Sequence, residues 1–179
     1  YPTLQTLTEG VLTFADIIRR IDQILDKYGH IKDSASTRLA EIRSQLQKAE
    51  GSVSRTLNNI LRAAQSEGLI EKDVTPTLRD GRLVVPIAPA LKRRIKGIVH
   101  DESSTGKTVF VEPNEVVEAN NRIRELEADE RREIIVILTE FTKLVRPHID
   151  DIINAYRLLA EVDFIRARAE LARTTNSIE

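Results

Sequence analysis

The strongest constraint on this chain is a change of period. Leu39, Ile42, Leu46, Ala49, Val53, Leu57, Ile60 and Ala64 recur at steps of three and four, which is the buried stripe of an α-helix. Asp33, ahead of Ser34-Ala35-Ser36, is placed to cap its start, and Gly68 to stop it. At about 1.5 Å per residue such a helix is on the order of 50 Å long. Gly51 lies inside it and costs roughly 1 kcal/mol against alanine, so a bend or break would fall there. Between Val74 and Pro113 this period disappears. Short β-branched runs (Leu83 to Ile87, Ile95 to Val99, Thr108 to Val111) alternate with turn residues such as Asp80-Gly81, predicting a small antiparallel sheet of three or four strands.

Helical spacing then resumes. Asn114 is a candidate cap for a helix through Val116, Ile123, Ile134, Ile137, Phe141 and Leu144 to Arg146, and Pro147 must kink it or begin another. Within it Glu125 to Glu133 has almost no apolar stripe and reads as a solvated face laced by charge pairs. A first helix over 12–27, ended by Tyr28-Gly29-His30, and a last one from Ile149 to Ala167, fraying over 174–179, complete the pattern. The expected class is mainly α with a small antiparallel β insertion. Short links make the two long helices antiparallel neighbours with the sheet at their tip. The segments are 1–32, 33–73, 74–113, 114–146 and 147–179.

Composition narrows the function. Charged residues reach 31% and aromatics only 4%, which favours long, salt-laced helices over a thick sandwich core. No cysteine is present, so disulfides, thiolate catalysis and Cys-ligated metals are excluded. No apolar run approaches the roughly 18 residues of a membrane span, and a cytoplasmic setting is expected. The chain begins at Tyr1 rather than methionine, which fits a piece of something longer.

Gly106-Lys107-Thr108 suggests a nucleotide-binding loop until its spacing is tested. The motif needs a glycine five residues before Gly106, where Asp101 stands, and a helix afterwards, where Val109-Phe110-Val111 reads as a strand. A hairpin turn is the better reading. His30, His100 and His148 fall on separate elements without ligand spacing; His100-Asp101 near Ser103 and Ser104 reads as turn chemistry and not a hydrolase triad. Glu127, Asp129, Glu130 and Glu133 read as solvated carboxylates.

One charge pattern stands out. Arg79, Arg82, Lys92, Arg93, Arg94, Lys96 and Lys107 face only Asp80, Asp101 and Glu102 in the same stretch, a local +4 in a chain of net −1. These seven cations are candidate nucleic-acid contacts, suited to phosphates and not to base reading. Lysine and arginine guarding edge strands is the alternative.

The run Gly97-Ile-Val-His-Asp101, Ser104, Gly106, Thr108, Phe110, Glu112-Pro113, Asn120-Asn121, Glu125-Leu126 and Glu130, preceded by Gly29-His-Ile-Lys-Asp33 with Ala35-Ser36, resembles the MutS family, in particular its second bacterial subfamily. The resemblance spans nearly the whole chain. It implies a non-catalytic core, lever and clamp region, with levers at 33–73 and 114–146 and a clamp at 74–113. ATP and Mg would belong to an ATPase module outside this chain. The implied partners are double-stranded or branched DNA, or ribosomal RNA in ribosome rescue, with homodimers in the whole protein and no membrane. A helical scaffold pairing through the Leu39 to Ala64 stripe is the alternative.

Overall fold

The computed structural model describes residue 8 and residues 10–177. It is mainly helical, with one four-stranded antiparallel sheet. The chain divides into two compact units. One is Asp33–Ile135; the other combines the described residues of 1–32 with those of 136–179.

In the Asp33–Ile135 unit, helix α2 (Thr37–Ser66) carries the long stripe. Its cap is Ser36 and not Asp33: Ser36 Oγ accepts from Leu39 N at 3.0 Å. Asp33 opens a 3-10 turn, Asp33–Ala35, and its carboxylate is engaged by Arg43. Serine wins because the helix starts where the oxygen can reach the third amide, and a side chain three residues earlier cannot. Gly51 causes no break. It is exposed, and a Cβ there would meet nothing within 4 Å. Gly51→Ala is therefore expected to stabilise by about 0.5–1 kcal/mol, read as a melting temperature raised by about 1–4 °C.

Strands β1 (Thr77–Arg79), β2 (Arg82–Ile87), β3 (Gly97–Glu102) and β4 (Val109–Pro113) lie in the order β1-β2-β4-β3. The β1–β2 hairpin turns on Asp80 and Gly81, at φ of 47° and 73°, the left-handed pair that a tight two-residue hairpin demands. The chain crosses from β2 to the far edge, forms β3, and returns to set β4 in the middle. The crossover contains a 3-10 turn, Pro89–Arg93, which Pro89 starts with its preset φ. Gly97 is sterically obligatory: a Cβ would stand 2.2 Å from the Glu112 carbonyl oxygen.

The sheet packs on the C-terminal half of α2. Val85, Ile87, Val109 and Val111 pack with Val53, Leu57, Leu61 and Ala64 of α2 and with Val116 and Ile123 of helix α3 (Asn114–Val145). A sheet face this apolar needs cover, and the second half of α2 supplies it. The first half of α2 faces α3 instead. Ser36 donates to Glu133 (2.8 Å), Arg43 to Glu130 (2.7 Å), and Arg122 to Gln45 (3.2 Å), so residues ascending in α2 meet residues descending in α3. The two helices are antiparallel here. The expected solvated face of α3 is corrected by the same bonds: Leu126 is buried, and Glu130 and Glu133 are half-buried and tie the helices together.

In the other unit, helix α1 (Ala15–Ile24) buries Ile24, and the Phe14 and His148 rings pack at 5.5 Å. After a 3-10 turn at Arg146–His148, set by Pro147, helix α4 (Ile149–Thr175) follows. Asn176 ends it at a φ of 50°; of the expected fraying over 174–179, Ile178 and Glu179 lie outside the described residues. No described helix is long and apolar enough to cross a membrane.

Candidate nucleic-acid interface

Successive side chains of a strand point to opposite faces, so β4 sends Val109 and Val111 into the core and Phe110 and Glu112 the other way. Glu112 is fully buried on that face. An ionised carboxylate there is stable only if donors replace its water. Three do: Arg82 Nη1 at 2.7 Å, Asn120 Nδ2 at 2.7 Å and His100 Nε2 at 2.6 Å. Burial alone would push the carboxyl pKa up, but the bonds from Asn120, His100 and Arg82 outweigh it and hold it below the ordinary value. A carboxylate can only accept, so the His100 proton sits on Nε2. His100 occupies strand β3 and not a turn; the β3–β4 register slips between Val99 and Asp101 and leaves it as the extra residue.

This network divides the seven cations. Arg82 is held on two sides, its Nη2 donating to Asn121 at 2.6 Å, and its side chain is 15% exposed. Arg79 lies over the Phe110 ring, 4.2 Å from its centroid, and stands 3.7 Å from Asp101. Both are part of the sheet's construction. Lys92, Arg93, Arg94 and Lys96 stand exposed on the β2–β3 crossover, and Lys107 stands exposed in the β3–β4 turn. None of these five side chains makes an ion pair or a hydrogen bond among the described residues. Sequence reading brought all seven together but missed Glu112 and Asn120, which sort them. The signal was present: a glutamate inside the apolar run Val109-Phe110-Val111-Glu112-Pro113 has to find donors.

The Gly106-Lys107-Thr108 fragment does not fit a nucleotide. Gly106 N donates to Ser103 O, Ser103 N to Thr108 O, and Thr108 N to Ser103 Oγ. The Ser103, Gly106 and Thr108 amides are thus used inside the turn, and β4 follows in place of a helix. No group of histidine, aspartate and glutamate able to hold a metal occurs among the described residues.

No protein-family profile matches the chain. It is similar over nearly its whole length to curated proteins named "Endonuclease MutS2". That of Halalkalibacterium halodurans is 38% identical over 178 residues, 99% of this chain and 22% of that protein. That of a Geobacillus species is 37% identical over 172 residues, 96% of this chain and 22% of that protein. That of Thermotoga petrophila is 34% identical over 176 residues, 98% of this chain and 23% of that protein. The chain thus spans about a fifth of the relatives it matches and is related to one region of MutS2-type proteins. That kinship does not extend to a lever or clamp role.

Proposed function

We propose that this chain is the nucleic-acid-engaging arm of a MutS2-type protein and has no catalysis of its own. The observation that carries this reading is the set of five exposed cations on one crossover and one turn, unpaired among the described residues and separated from two others fixed by Glu112 and Phe110. Flexible lysines and arginines on a braced sheet suit the phosphates of duplex or branched DNA, or of ribosomal RNA, and do not read bases. The bonds from Ser36, Arg43 and Arg122 brace α2 against α3 and so hold the sheet that carries these cations on a stiff support. ATP and Mg would be used elsewhere in such a protein, as would any nuclease chemistry, and homodimerisation would close the arm on its ligand. Charge reversal at Arg93 and Arg94, with binding measured across a salt series, tests this reading.

A second reading has its own observation. The Leu39 to Ala64 stripe, first candidate for a pairing surface, is largely covered within the chain, whereas α4 buries none of its residues and leaves Tyr156, Leu159, Phe164 and Leu171 well exposed. Large apolar side chains exposed together on one helix mark a surface that a partner covers. If it pairs with a second copy, sedimentation will show mass rising with concentration; a constant monomer mass would remove self-pairing.

A further inference from the structure

We propose that the groove beside Lys107 receives an unpaired nucleobase, whose own phosphate rests on Lys107 and the crossover cations. The inference rests on the phosphate-contacting reading of those cations and adds a base-binding site to it. Register places the parts together. Ile87 ends β2 opposite Val109, the first residue of β4, so Ala88 and the start of the crossover lie at the same end of the sheet as the turn bearing Lys107. The segment after α2 closes the remaining side. The resulting pocket has a volume of about 340 Å³ and aliphatic walls from Leu69, Ile70, Val74, Pro86 and Leu91. That is within the roughly 300–1,000 Å³ of small-molecule sites.

Its chemistry separates the two ends of a nucleotide. The aliphatic walls suit the flat face of a base, and Thr108, which also lines the pocket, can hydrogen-bond its edge. Glu71 lines it as well; a carboxylate repels a phosphate but not a neutral base. The phosphate therefore stays at the rim, where Lys107 is exposed and Lys92 and Arg93 follow Leu91 directly. A base stacked inside a duplex has both faces covered and cannot enter. An extrahelical or single-stranded base can, at the cost of no pairing.

The intact protein is titrated with a paired duplex and with the same duplex carrying one extrahelical fluorescent purine analogue. The second is expected to bind about tenfold tighter, with a change in analogue emission as it leaves water. Ala88→Trp, on an exposed wall of the groove, is expected to abolish that preference while leaving affinity for the paired duplex unchanged. Equal affinities with unchanged emission would overturn the base site and leave the phosphate reading standing. If Arg93→Glu with Arg94→Glu weakens neither ligand, the phosphate reading falls and the base site with it.

Discussion

Replacing Glu112 by alanine is expected to destabilise the Asp33–Ile135 unit by about 3 kcal/mol, the low end of the cost of breaking a buried ion pair. The side chain is fully buried and receives three donors. Without it the Arg82 guanidinium, 15% exposed, keeps Asn121 and loses its counter-charge; the Asn120 amide keeps only the Leu83 carbonyl, at 3.2 Å. Urea unfolding should show a lower midpoint with an unchanged slope. Glu112→Gln is the milder change, about 1–3 kcal/mol. Its oxygen can still accept from Arg82 and Asn120, which share Oε1, and His100 can move its proton to Nδ1 to meet the new amide.

The same pair isolates a pH effect. Glu112 is held below its ordinary value of 4.5 in the folded chain. A depressed carboxyl pKa stabilises above the unfolded value and loses that contribution as pH falls through the folded one. The wild-type advantage over Glu112→Gln should therefore be constant near neutrality and shrink on the acid side of 4.5. An advantage that did not change on acidification would mean that Glu112 is not ionised in the fold.

Period made most of the architecture legible. Helix α2, the β segment and the stop at Pro147 follow from spacing alone, because backbone geometry dictates which positions share a face. What sequence could not supply was the partner of each face. The stripe from Val53 to Ala64 gives no hint that a sheet, as well as the neighbouring helix, covers it. Glu130 and Glu133 look like solvated charges until α2 brings Arg43 and Ser36 to them across 87 and 97 residues of chain. The seven cations were visible as a cluster for the same reason that their division was not. Charge density is local, whereas Arg82 is sorted from Arg93 by a carboxylate 30 residues away.

That division decides the outcome of charge reversal. Arg93 and Arg94 are exposed and without partners among the described residues, so Arg93→Glu with Arg94→Glu should leave the fold intact and act on binding alone. Each phosphate that is no longer neutralised takes about 0.9 from the slope of log K against log salt, so the double variant should flatten that slope by about 2 and weaken binding most at low salt. Arg157→Glu with Arg166→Glu makes the same change in net charge on α4 and should leave the slope near that of the wild type. Removing Arg82 differs in kind. It should lower stability first, and affinity only as far as the crossover loses its support. Equal slopes for the wild type and the Arg93/Arg94 variant would mean that the crossover guards an edge strand and touches no phosphate.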